Sequence, residues 1–226
     1  MHPRIHAKQT PDKIAFQMAE TGEAVSYAEL EAASNRFAQY LRHCSIQTGD
    51  HIAIFLENHV RFFEVVWGCQ RAGVIFTAIN FRLSVEEANY IVGNCEAKMV
   101  VSSHQLANTA AGMRNASDQD HQVEHWLMLD GRVDGWTPYE ELVMGMPESP
   151  IADECAANDM LYSSGTTGRP KGVYSPPLSA AIDAPTRSSS MCESVYGMGP
   201  DTVYLSPAPL YHAAPLRYNM SVMRLG

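Results

Sequence analysis

The sequence predicts an α/β fold in which layered, parallel-rich sheets carry helices on both faces. Three short segments, residues 51–56, 74–79 and 98–102, are largely apolar. The two segments between them carry apolar side chains at the spacing of an amphipathic helix. Apolar strands that alternate with helices in this way are typical of a parallel sheet that is buried on both faces.

Capping residues indicate where the first helices begin. Ser26 and Glu29 form a capping box, as do Ser84 and Glu87. In this pattern the serine hydroxyl accepts a hydrogen bond from the glutamate N–H, while the carboxylate accepts from the serine N–H. Asn58 is predicted to cap the helix between the first two strands.

The pattern is less regular after the third strand. A helix is predicted over residues 106–113 and a fourth strand over 126–130. Thr137 is predicted to cap a further helix, because proline at N1 and Glu140 at N3 follow it. Residues 146–159 contain two prolines and read as a loop, whose acids are interpreted as solvent-facing: Asp153, Glu154 and Asp159.

Composition limits the class of protein. The chain has 226 residues, of which 46% are hydrophobic, so it can bury a sizeable core. Its formal net charge of −9 argues against nucleic acid as a partner, because nucleic-acid binders carry an excess of Lys and Arg. The five cysteines form no CxxC pair, which favours a reducing cytoplasm. Neither a signal peptide nor a membrane span is predicted.

Residues 162–173, with the sequence YSSGTTGRPKGV, carry the strongest functional signal. Glycines let the backbone approach a ligand, and successive N–H and hydroxyl groups can surround phosphate oxygens. Lys171 adds a positive charge suited to phosphate. A Walker A loop is excluded, because Gly172 stands where that motif requires Ser or Thr and the glycine spacing differs. Arg169 is predicted to face solvent.

This segment resembles the phosphate loop of adenylate-forming enzymes. That superfamily includes acyl-CoA synthetases, aryl-CoA ligases, luciferases and the adenylation domains of peptide synthetases. The likeness extends over most of the chain, with matching segments at residues 10–15, 25–30, 49–54, 71–74 and 205–212.

The resemblance implies a two-step ligase reaction. A carboxylic acid attacks the α-phosphate of ATP to give an acyl-adenylate and pyrophosphate, and the thiol of CoA then displaces AMP. Lys171, Thr166 and Thr167 would act on the departing pyrophosphate, while Mg²⁺ would share its charge. The implied contacts to the ATP phosphates come from Ser163, Ser164, Gly165, Thr166, Thr167, Gly168 and Lys171.

Two further roles are implied by the same resemblance. The hydroxyl of Ser163 would touch the metal, although the family often has threonine here, whose methyl group restricts the rotamer. His212, together with the aromatic Tyr211, would gate the acyl pocket and the entrance for the thiol. The alternative for His212 is a hydrogen-bonded structural histidine.

The resemblance also implies how the chain is organised. Residues 1–150 would form a first α/β sheet unit, and residues 151–226 the phosphate loop and the start of a second unit. The adenine-binding segment and the C-terminal domain would lie outside the chain, so we expect it not to complete adenylation alone. The family has a long helix after its loop, whereas Pro185 and three consecutive serines disfavour helix between residues 176 and 197.

Several alternatives stay open at this level. The acceptor is CoA or, in a peptide-synthetase adenylation domain, a carrier protein. The chain is an active ligase, a non-catalytic nucleotide-binding fragment, or a fragment that does not fold stably. A homodimer or a complex with a separate C-terminal half is compatible with each. The sequence does not identify the acid that is activated.

Overall fold

The computed structural model describes residues 1–116, 123–163, 169–173 and 181–226. Its helices are α1 (Pro3–Gln9), α2 (Tyr27–His43), α3 (Phe62–Arg71), α4 (Val85–Asn94), α5 (Ala107–Ala116), α6 (Tyr139–Val143), α7 (Arg187–Tyr196) and α8 (Ala213–Leu225). Its strands are β1 (Ile14–Gln17), β2 (Ala24–Ser26), β3 (His51–Phe55), β4 (Ile75–Ala78), β5 (Ala97–Ser103), β6 (His125–Leu129), β7 (Thr137–Pro138), β8 (Leu161–Ser163) and β9 (Lys171–Val173).

A parallel sheet of five strands, in the order β4–β3–β5–β6–β7, forms the centre of the fold. Side chains alternate between its faces. Ile52 and Ile54 pack with α2 and α3, whereas Ala53 and Phe55 pack with α4 and α5. The predicted α/β class, the four predicted strands and the helices on both faces are therefore confirmed.

Both capping boxes form as predicted, at Ser26 and at Ser84. The prediction for Asn58 was wrong, because α3 begins at Phe62 without a side-chain cap. Asn58 Oδ1 instead accepts a hydrogen bond from the backbone N–H of Leu210 at 2.8 Å. Asn58 therefore bonds to a residue far along the chain, whereas the local pattern predicted that it would cap a helix.

The predicted helix start at Thr137 was wrong by one residue. Thr137 pairs with Leu127, so its backbone is extended as part of β7, and α6 begins only at Tyr139. The addition of an edge strand to the sheet thus moves the helix start beyond the proline.

Helix α7 forms in the segment where the sequence disfavours helix. It begins after Pro185, and Thr186 caps it through a reciprocal capping box with Ser189. Ser194 donates its hydroxyl hydrogen bond to the carbonyl of Ser190 at 2.7 Å. Of the three consecutive serines, Ser189 takes part in the cap, and the helix forms despite their low helix propensity.

The segment before β8 runs beside α3 and β4 rather than away from the sheet. It forms two isolated parallel bridges, one to Ala72 and one to Phe76. Three of its backbone N–H groups donate to carbonyl groups of α3 and β4: Cys155 to Arg71 at 3.1 Å, Ala157 to Gln70 at 3.0 Å and Met160 to Phe76 at 3.0 Å. We call this contact the seam.

Strands β8 and β9 follow the seam as a separate antiparallel pair. The predicted division of the chain at residue 150 stays a prediction. No helix within the described ranges is long and apolar enough to cross a membrane.

A buried arginine links the start of the seam to two helices. Arg71 is fully buried and contacts Asn35 and the carboxylate of Glu31 on α2. It also lies 3.4 Å from the carboxylate of Glu154, which pairs on its other side with Arg4 of α1. The prediction that Glu154 faces solvent was therefore wrong.

We expect Arg71→Met to lower the free energy of unfolding by about 3 kcal/mol, because it leaves two carboxylates without their buried partner. Urea denaturation followed by tryptophan fluorescence measures this. Arg36→Met is the matched control, since Arg36 pairs with the exposed carboxylate of Glu148. That variant should lose less than about 1 kcal/mol. Equal losses in the two variants would contradict the assigned role of Arg71.

The buried His2 makes stability depend on pH. Its Nδ1 accepts a hydrogen bond from the N–H of Arg4 at 3.2 Å, and its ring lies edge-on to Trp67. Burial, together with the nearby guanidinium groups of Arg71, Arg224 and Arg4, holds the pKa of His2 well below its ordinary value of 6.5. The ring is therefore neutral in the folded protein.

We expect His2→Asn to weaken the dependence of stability on pH. The unfolded chain protonates His2 below about pH 6.5 and the folded protein does not, so the free energy of unfolding falls as pH falls through this range. Asparagine keeps an acceptor for Arg4 but does not titrate. Between pH 7 and 5.5 the variant should lose about 1 kcal/mol less than the wild type, measured by urea denaturation. Parallel pH profiles would refute the assignment.

Candidate nucleotide-phosphate site

The β8–β9 hairpin brings two predicted site residues together. Ser163 and Lys171 are direct cross-strand partners, and the Ser163 hydroxyl donates to the Lys171 carbonyl at 3.5 Å. They stand at the two ends of the predicted phosphate loop. The remaining predicted contacts lie outside the described residues: Ser164, Gly165, Thr166, Thr167 and Gly168.

The two faces of the hairpin differ in character. Opposed residues of an antiparallel pair project to the same face, and neighbours along a strand project to opposite faces. Ser163 and Lys171 are both exposed on one face. Tyr162 projects to the other face, where its hydroxyl donates to Asn94 Oδ1 on α4 at 2.6 Å. Tyr162 thus anchors one face to α4. On the other face Leu161 is buried in the core, and the hydroxyl and ammonium groups beyond it are exposed to solvent.

Gly172 is the central residue of β9 and pairs with Tyr162 across the hairpin. Its φ is not positive. A Cβ on Gly172 would lie 3.0 Å from Cζ of Tyr162 and 2.3 Å from Cε of Met160. Gly172 therefore leaves room for the ring of Tyr162, its cross-strand partner, to lie across the hairpin.

Arg169 is exposed, as predicted, but it also makes a contact that the sequence did not indicate. Its guanidinium carbon lies 5.0 Å from the centre of the Tyr90 ring on α4. The Tyr90 hydroxyl donates to the carbonyl of Pro170 at 3.4 Å. The residues that lead into β9 therefore contact α4, which is also the helix that Tyr162 contacts.

The aromatic-His segment lies at the carboxyl ends of β3 and β4. Asn58, which follows β3, binds the backbone of Leu210, and Phe81, which follows β4, lies edge-on to Tyr211 at 5.6 Å. His212 is exposed and caps the N-terminus of α8 without a side-chain hydrogen bond, its ring 4.2 Å from that of Tyr211. This edge of a parallel sheet is where ligands of α/β proteins bind.

An ion pair connects the hairpin with α8. Arg217 of α8 binds Asp159 through both carboxylate oxygens, at 3.1 and 2.6 Å. Asp159 is only 13% exposed and lies two residues before β8, so its prediction as a solvent-facing acid was wrong. Among the described residues, no hydrogen bond joins His212 directly to Ser163 or Lys171.

The described residues fit a magnesium ion only in part. Mg²⁺ takes oxygen ligands and is usually held by one or two protein groups together with substrate phosphates and water. The exposed hydroxyl of Ser163 is one such oxygen. The described ranges contain no cluster of three or more His, Cys, Asp or Glu side chains that could hold a metal.

Residues 4–226 match the family model of the AMP-binding enzymes. The chain belongs to this family. It is 29% identical over 216 residues to a long-chain-fatty-acid–CoA ligase of Mycobacterium tuberculosis, a match that covers 94% of the chain and 41% of that protein. A feruloyl-CoA synthase of Amycolatopsis is 29% identical over 222 residues, covering 95% of the chain and 39% of that protein.

Solved structures give the same result for the fold. The ATP-bound structure of MatB from Rhodopseudomonas palustris matches with a TM-score of 0.72 and 28% identity. The match covers the whole chain and 44% of that protein. The chain therefore spans well under half the length of these relatives.

Proposed function

We propose that the chain binds the phosphates of ATP for the activation of a carboxylic acid, as part of an acyl-CoA ligase. The observation that carries the proposal is the pairing of Ser163 with Lys171. It holds an exposed hydroxyl and an exposed ammonium group side by side on a hairpin that Tyr162 and Leu161 anchor to the rest of the protein. Family membership and the acyl-CoA ligases among the relatives support the same function.

Lys171 would bind and stabilise the departing pyrophosphate through charge-assisted hydrogen bonds. Thr166 and Thr167 are proposed to add hydroxyl donors, and Ser164, Gly165 and Gly168 backbone donors. Mg²⁺, when bound, would neutralise charge on the phosphates, and Ser163 is the residue of the described chain that would contact it.

His212 is proposed to line the route of the acid and the thiol. Its exposure, its contact with Tyr211 and its place at the carboxyl edge of the sheet support this role. The Asp159–Arg217 pair would keep α8, which begins beside His212, at a fixed position relative to the hairpin. CoA as the acceptor is proposed from the ligase names of the relatives.

A non-catalytic nucleotide-binding protein is the second candidate. The observation that favours it is the pairing of Ser163 with Lys171 itself, because a hydroxyl and an ammonium group can bind phosphate without any further chemistry. A titration with ATP or pyrophosphate, run beside an assay of pyrophosphate release, separates the two. Affinity with turnover supports the ligase, and affinity without turnover supports the binding protein.

We expect Lys171→Ala to weaken the binding of Mg²⁺–pyrophosphate by about 10- to 100-fold, the value of a hydrogen bond to a charged group. Isothermal titration calorimetry measures this. Lys8→Ala, which removes an exposed lysine from α1, is the matched control and should bind as the wild type does. If Lys171→Ala kept the wild-type affinity, the proposed phosphate site would be wrong.

A further inference from the structure

Helix α4 contacts strand β8 and the two residues that lead into strand β9. Asn94 accepts from the hydroxyl of Tyr162 on β8 at 2.6 Å. Tyr90 donates to the carbonyl of Pro170, just before β9, at 3.4 Å, and its ring lies under Arg169. Because residues four apart share one face of a helix, Tyr90 and Asn94 face the hairpin together.

The helix itself is firmly held. Its N-terminus has the complete Ser84 capping box, and Ala88, Ile91 and Val92 are buried against the sheet. Asn89 donates its side-chain amide hydrogen bond to the carbonyl of Met113 at 3.0 Å. Because its first turn is capped and one face is buried, α4 is a rigid support for the hairpin residues that are bonded to its other face.

The contacts between α4 and the hairpin involve the residues next to Ser163 and Lys171, and they can therefore hold both site residues in position. Burial, followed by the nearby Cys95 and Tyr90, raises the pKa of the Tyr162 phenol, so this group remains a proton donor at neutral pH. Gly172 leaves room for the Tyr162 ring to reach α4. Tyr162 and Pro170 are the neighbours of Ser163 and Lys171 in sequence, so α4 holds the residue next to each site residue.

We propose that Asn94 and Tyr90 are positioning residues that keep Ser163 and Lys171 in place for the phosphates of the nucleotide. The proposal rests on the proposed phosphate site. Groups that are already ordered lose less conformational entropy when the ligand binds, which raises the affinity. Neither residue need touch the ligand.

The test uses substitutions that alter the hydrogen bond between Tyr162 and Asn94 from one side at a time. Asn94→Leu removes the acceptor, and Tyr162→Phe removes the donor but keeps the ring. Asn94→Asp retains an acceptor for the Tyr162 hydroxyl. Asn94 is exposed, so these variants are expected to fold. Asn108→Leu on α5 is the control, because it also replaces an exposed helical asparagine with leucine.

Two measurements are made on each full-length variant. Hydrogen–deuterium exchange of the peptide spanning residues 160–173 reports whether the hairpin is held, without any ligand. Calorimetric titration with Mg²⁺–pyrophosphate reports the affinity. We expect Asn94→Leu and Tyr162→Phe to speed exchange and to weaken binding by about five-fold, the value of one hydrogen bond. The double variant should be no weaker than either single one. Asn108→Leu should resemble the wild type in both measurements, and Asn94→Asp, which adds a negative charge, should resemble it in hydrogen exchange.

The outcomes separate this proposal from the proposed function. If Lys171→Ala loses affinity while Asn94→Leu and Tyr162→Phe change neither measurement, the positioning role is wrong and the phosphate site stands. If the hairpin of Asn94→Asp exchanges as fast as that of Asn94→Leu, the hydrogen bond is not the cause and the positioning role is wrong. If Lys171→Ala keeps its affinity, the phosphate site is wrong, and Asn94 then has no ligand to position.

Discussion

The seam between residues 155–160 and the end of α3 and β4 is the constraint on which the position of the candidate site depends. Its backbone hydrogen bonds guide the chain along the edge strand of the parallel sheet until β8 begins. Hydrogen bonds between backbones fix the register of this segment whatever its side chains are. The seam therefore helps to fix the position of the hairpin relative to the five-stranded sheet, together with the hairpin's own contacts with α4.

Side-chain contacts at both ends of the seam reinforce it. At its start, Glu154 lies beside the buried Arg71, and at its end, Asp159 binds Arg217. Buried and partly buried ion pairs of this kind specify a geometry more than they add stability, because desolvation offsets much of their attraction. Their effect here is to connect α1, α2 and α8 to one short segment that leads into the site.

The sequence was sufficient for those features that depend on neighbours in the chain. The apolar strands and both capping boxes each depend on residues that lie within a few positions of one another, and they formed as predicted. Asn58, Thr137 and Asp159 were misassigned for one shared reason. Each is bound by a residue that is distant in sequence or by a neighbouring strand, and these partners outweigh local preference.

The same distinction applies to the candidate site. The motif identified Ser163 and Lys171, because hydroxyls, glycines and a lysine within twelve residues form a local signal. Tyr90 and Asn94 gave no such signal, since they act on residues about 70 or 80 positions away. Their spacing of four places them on one helix face, but only the structure identifies what lies opposite that face.

Charge explains why one lysine can be decisive in an acidic chain. Most arginines of the described residues pair with a carboxylate, among them Arg4, Arg42 and Arg132. Within the same ranges no carboxylate lies at ion-pair distance from Lys171, whose side chain is exposed on the hairpin. A net charge of −9 repels a polyanion from most of the surface, so the attraction is confined to places where a cation is unpaired and backbone or hydroxyl donors surround it. The hairpin meets the first of these conditions in the described residues, and the proposed phosphate loop would meet the second.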